Sequence, residues 1–181
     1  MKKQEKINVL QQGITEQEIC RCYFSYEPSF FYCYPNAAND KFILGQEEDD
    51  FILDGYFIRK ISHLRKVEIR TDGCNAINRA IGTTGQIAHP GIDISDWRSI
   101  FEGLSRLDTF VIIEDRIGGQ FAIGVIEKVL KNKLYFQKFN AKGVWDKDTW
   151  EIPYSQITGV EWGTRYDVHW KQFLERQQTT F

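Results

Sequence analysis

Much of what commits a chain to a chemistry is missing from these 181 residues. Histidine occurs only as His63, His89 and His169, and none stands in the His-Glu-x-x-His spacing of a helical zinc hydrolase. Gly82-Thr83-Thr84-Gly85 has no Lys-Ser or Lys-Thr after it, so it is not a phosphate-binding loop. No Gly-x-Ser-x-Gly elbow occurs. No apolar run approaches the roughly 20 residues of a membrane span. Met1 to Ile14 lacks the apolar stretch of a signal peptide, which points to a cytoplasmic protein. Charge of one sign is scarce: the formal net charge is −2, so the average field does not gather polyanions. Catalysis, a cofactor, a metal and a membrane are therefore not expected.

What the chain does contain is apolar material, 42% hydrophobic and 14% aromatic, enough to build cores and too much for a disordered chain. It also contains a repeat. Phe57, Ser62, Leu64, Val67, Glu68 and Ile69 recur as Trp150, Ser155, Ile157, Val160, Glu161 and Trp162, every pair 93 positions apart. Each copy reads as a strand, a tight turn around Ser and a second strand, at the end of a β-rich stretch. Phe57, Trp150, Ile69 and Trp162 are expected as core anchors.

The first half starts with a polar arm in which Thr15 and Glu18 could cap one short helical turn. Five strands follow: Cys20 to Tyr26, Phe30 to Tyr34, Phe42 to Gly45, Phe51 to Lys60 and Arg65 to Arg70. Acidic residues 47–50 read as an exposed turn, and Ile61 to Leu64 as one 3₁₀ turn. A brief helix at Asn75 to Ile81 and a loop with Gly82, Gly85 and Pro90 make 73–94 a linker, and His89-Pro90-Gly91 a rigid turn within it. In the second half Ser95 is the expected N-cap of a helix carrying Trp97, Ile100, Phe101 and Leu104 at i, i+3, i+4 and i+7. Gly118-Gly119 suits a two-residue hairpin turn, and Gly124 sits where a long strand must bend. Strands to Gly163 bring this half to five as well. Tyr166, Trp170, Phe173 and Leu174 form the stripe of a terminal amphipathic helix.

A helix followed by five short antiparallel strands, with a bent second strand and a turn before the fifth, resembles the Sm-like small barrel across residues 95–163. Gly124 is similar to the glycine of that family's bent strand. The Asp/Asn pair that contacts RNA bases in that family is not recognisable at Leu130 to Lys133. The wording Asp54-Gly55-Tyr56 and Ile157-Thr158-Gly159-Val160-Glu161 also resembles bacterial proteins with paired small barrels, a likeness that implies no activity. The expected fold is mainly β with a few helices: two small five-stranded antiparallel Sm-like barrels, 1–72 and 95–181.

Cys22 and Cys33 fall opposite each other if a hairpin turns at Glu27-Pro28, as two buried thiols or as a cross-strand disulfide. With Cys20 they would also offer a three-thiol zinc site of no common spacing. The strongest charge feature is Arg59, Lys60, His63, Arg65, Lys66 and Arg70. With Tyr56 and Phe57 beside it, this run could track phosphates and stack bases. Strand alternation and the nearby acidic residues also account for it as solvation. The function expected is a noncatalytic protein–protein interaction module, with a protein partner or self-association. The alternative is RNA binding through residues 59–70.

Overall fold

The computed structural model describes residues 1–179, with side chains to 177. Among them are ten strands and four α-helices, so the protein is mainly β. They fall in two compact units, Met1–Ser95 and Asp96–Phe181.

The first unit opens with α1 (Lys3–Glu16), a full 14-residue helix where the sequence suggested one turn. Ile7, Leu10 and Ile14 give it a sparse apolar stripe, and fully buried Leu10 joins the core cluster beneath it. Tertiary packing, rather than propensity, sustains such a helix. Gly13 lets it approach closely, because a Cβ there would lie 2.7 Å from Cys20 Sγ and 3.0 Å from Pro35.

Five antiparallel strands follow: β1 (Cys20–Phe24), β2 (Phe31–Ala38), β3 (Phe42–Asp49), β4 (Ile52–Lys60) and β5 (Leu64–Ile69). Their order is β5-β1-β2-β3-β4, with a 3₁₀ turn, Ile61–His63, between β4 and β5. The β1–β2 register pairs Cys20 with Cys33 and Cys22 with Phe31, two residues away from the expected pairing. Cys22 and Cys33 are diagonal neighbours, their sulfurs 3.6 Å apart as free thiols. A shift of two keeps every side chain on its face, so the alternation of apolar residues cannot reveal it.

The acidic run is another correction. Glu47 and Glu48 belong to β3, and Glu48 is buried; only Asp50 and Phe51 turn the chain, both at positive φ. Burial is sustainable because Glu48 accepts from Phe51 N at 2.8 Å and Asn78 Nδ2 at 3.4 Å, with Arg70 3.6 Å away.

Segment 73–94 is held within this unit. Its helix α2 (Cys74–Ile81) carries Asn75, which accepts from Ile19 N and donates to Arg70 O. Thr83 donates to Phe51 O, and Gln46 accepts from Ala88 N.

The second unit opens with α3 (Trp97–Leu104), capped by Asp96 rather than Ser95: its carboxylate accepts from Ser99 N at 2.8 Å. All four residues of the expected stripe are buried. Strands β6 (Val111–Asp115), β7 (Gln120–Val129), β8 (Lys133–Lys138), β9 (Trp150–Pro153) and β10 (Gly159–Trp162) pair in the order β10-β6-β7-β8-β9. The β6–β7 connection is a four-residue loop, since Asp115 pairs with Gln120 and its carboxylate accepts from Ile117 N and Gly118 N. The last element is α4 (Arg165–Thr179).

The two closed barrels expected from the strand count are not found. Among the described residues no pairing joins β4 to β5 or β9 to β10; β5 and β10 pair with the first strand of their own units instead. Strand number alone does not fix closure, which also requires a matching stagger. No helix among the described residues is long and apolar enough to cross a membrane.

Candidate functional site

The basic run of the first unit is dispersed by the fold. Arg59 is only 4% exposed; its guanidinium lies 4.6 Å from the Phe31 ring, 5.3 Å from Phe24 and 5.6 Å from Phe57, and pairs with Glu27 at 3.2 Å. Lys60 is half-buried. His63 sits in the 3₁₀ turn edge-on to Tyr26, its pKa lowered first by burial and then by Lys60. Arg65 is exposed. Lys66 pairs with Glu68 at 2.5 Å and lies over the Tyr23 ring. Arg70 stacks on Tyr32 at 3.9 Å and donates to Asp72 at 2.7 Å, which holds that carboxyl down to about 2. The run therefore alternates between core and surface, and Arg59, Lys66 and Arg70 each meet a carboxylate of the same unit.

Near Arg70 a cleft of about 350 Å³ is lined by Phe30, Tyr32, Asp50 and Phe51 among others. Its buried carboxylate, Glu48, is already engaged as described. Burial pushes the Cys20 and Cys33 thiols well above the ordinary thiol range, where the nucleophilic thiolate is disfavoured. Among the described residues no group of three or more His, Cys, Asp or Glu side chains could hold a metal ion. His89-Pro90-Gly91 is a local turn, with Gly91 N donating to His89 Nδ1 and Gly91 at positive φ.

A different arrangement occupies the second unit. A cleft of about 290 Å³ has a floor of buried Ala122, Ile123 and Phe139. Phe121 and Tyr166 wall it, 54% and 51% exposed, together with half-buried Trp170. The rings meet nearly at right angles, Phe121 to Tyr166 at 6.1 Å and Tyr166 to Trp170 at 6.4 Å, and Trp170 packs on Phe139 at 5.1 Å. Such edge-to-face sets suit aromatic quadrupoles and leave ring faces open.

Local chemistry fixes these walls. Thr164 caps α4, its hydroxyl accepting from Asp167 N at 3.2 Å, and the Asp167 carboxylate accepts in return from Thr164 N at 2.6 Å and Gly163 N at 3.0 Å; burial pushes that carboxyl up against the downward pull of those bonds. Asp167 and Leu174 therefore face inward, and Tyr166 and Phe173 are left outside, although the sequence stripe grouped them with Leu174. The loop after β8 is tied by Asn140, whose side-chain oxygen accepts from Lys142 N and Val144 N. Gly143, at positive φ, fits against Leu174. Lys138 and Asp146 stand at the mouth, 3.7 Å apart.

Lys138 Nζ also lies 4.0 Å over the ring of Trp150. Trp150 is half-buried, as is Ile69, and neither is the core anchor expected; Phe57 and Trp162, at 2% and 4% exposure, are. Sequence reasoning flagged the Tyr166–Trp170 stripe but took it for a core face. Nothing in the sequence around Phe121 separates it from a buried strand residue. Compared with known protein families, with curated proteins and with solved structures, the chain matches none.

Proposed function

We propose that this protein is a noncatalytic protein-interaction module whose docking surface is the aromatic cleft of the second unit. The observation that carries the reading is a pair of large rings, Phe121 and Tyr166, held half in water above a buried apolar floor by a capped helix and a tied loop. Solvent-facing rings on a rigid frame are the usual anchors of a binding surface, where each desolvated ring contributes about 1.5–3 kcal/mol. The occupant is a partner protein or a second copy of the chain. We also read each unit as an Sm-like module of a duplicated pair. What supports this is the common strand order, fifth strand beside first, a preceding helix, and a short turn between fourth and fifth strands in both. Gly124 supports it too, since a Cβ there would meet Gln137 O at 1.9 Å.

The test is affinity capture from lysate, with and without nuclease treatment, using the wild-type chain and a Phe121→Ser/Tyr166→Ser variant, alongside size-exclusion chromatography of both. A protein or second copy retained by wild type and lost by the variant is expected. Retention by both would overturn the cleft as the docking surface, and recovery of RNA without nuclease, lost on Arg65→Glu/Lys66→Glu substitution, would overturn the reading in favour of residues 59–70.

A further inference from the structure

The cleft has an electrostatic end as well as an apolar one. Its single lining cation, Lys138, holds Asp146 at 3.7 Å, which is beyond hydrogen-bond reach, and lies 4.0 Å over Trp150. Among the described residues its ammonium makes no hydrogen bond, so its three donors are not consumed. Residues 138–148 carry Lys138, Lys142 and Lys147 against Asp146 and Asp148. Lys142 and Lys147 are exposed and have no ion-pair partner among the described residues. The one carboxylate lining the cleft is thus already beside a cation, and within residues 138–148 cations exceed anions by one.

We infer that the cleft takes an acidic–aromatic segment of a protein partner: an aromatic side chain packs on the exposed faces of Phe121 and Tyr166 beside Trp170, and a flanking Asp or Glu carboxylate docks on Lys138. The inference rests on the docking surface proposed above and adds the chemistry of its occupant. Ring-on-ring contact supplies the anchor, and a charge-assisted hydrogen bond from an ammonium with spare donors supplies selectivity. Asp146 opposes the incoming carboxylate, so its charge weakens the complex. A nucleic-acid strand fits less well, because the slot ends on a closed floor of Phe139 and Ile123 and has one lining cation, whereas a strand tracks several phosphates.

Fluorescence anisotropy on the full chain tests this with labelled peptides that share one central Phe and Trp and carry Glu, Gln or Lys at the flanking positions, and with decauridylate. The Glu peptide is expected to bind about tenfold tighter than the Gln peptide, the ratio one charge-assisted hydrogen bond supplies. Lys138→Gln should erase that ratio and Asp146→Asn should widen it, with tryptophan fluorescence of both variants confirming the native fold. Equal affinity for the Glu and Gln peptides, both lost on Tyr166→Ser, would overturn the acidic partner and leave the docking surface standing. Peptide binding indifferent to Tyr166→Ser, or no peptide binding, would overturn both. Decauridylate binding more tightly than any peptide would assign the cleft to nucleic acid and overturn the inference.

Discussion

Gly124→Ala should cripple the second unit for a reason that can be worked from distances. Gly124 pairs with Lys138 across β7 and β8, and an added Cβ would sit 1.9 Å from Gln137 O and 2.8 Å from Lys138 Cα. Side-chain carbons essentially never come within 3.0 Å of such atoms, so the strands must part by about 1 Å. That is roughly a fifth of the 4.7–4.9 Å spacing between paired strands. Both atoms are backbone, and no flexible side chain can swing aside. Overpacking of this kind costs about 1–3 kcal/mol, and two stretched ladder hydrogen bonds add about 1 kcal/mol each. The expected loss is about 3–5 kcal/mol, a large part of a domain's typical 5–15 kcal/mol. All five tryptophans, Trp97, Trp145, Trp150, Trp162 and Trp170, belong to the second unit, so urea unfolding followed by tryptophan fluorescence reads that unit alone. If Gly124→Ala lies within about 0.5 kcal/mol of wild type, the close approach at Gly124 is not what holds that position to glycine.

Arg59→Ala should destabilise the first unit by about 3 kcal/mol in urea melts followed by circular dichroism, because it breaks the ion pair with Glu27 and empties a box of three rings; the double variant Arg59→Met/Glu27→Leu, which makes both members of the pair apolar, should stay within about 1 kcal/mol of wild type. The Asp72 carboxyl should titrate near 2 by NMR, and Arg70→Gln should return it towards the ordinary value near 4. Because the folded carboxyl is depressed, its stabilising contribution is present above the ordinary value and is lost as the pH falls from about 4 to about 2. Asp167→Ala removes one half of the capping box of α4, leaving the Thr164 hydroxyl on the backbone N–H of residue 167, and should cost about 1 kcal/mol, with hydrogen exchange accelerating first at Gly163 and Thr164.

The strand count and most boundaries were legible because apolar runs are punctuated by Asn39-Asp40, Gly118-Gly119, Asn132 and Asn140. The α3 stripe was legible to the residue. Three things were not. Helix α1 is mostly polar and is sustained by contacts with residues far along the chain, which periodicity within Met1 to Glu16 does not contain. The β1–β2 register differs from the expected one by an even number, and even shifts preserve faces. The cleft was half visible: the spacing of Tyr166, Trp170 and Phe173 marks a helical face, but Asp167 decides the rotation of that helix. A buried carboxylate answering two backbone amides is a tertiary fact.

Arg59 carries a consequence for how the first unit comes apart. A guanidinium cannot shed its proton inside a protein, so this charge tolerates burial only while Phe24 of β1, Phe31 of β2, Phe57 of β4 and Glu27 are all in place. Lifting any one strand breaks contacts of this residue while the other strands stay ordered, so partial opening loses the box without regaining the chain entropy of complete opening. Amide protons of β1, β2 and β4 are therefore expected to exchange in concert through one shared event, making these strands a single cooperative foldon.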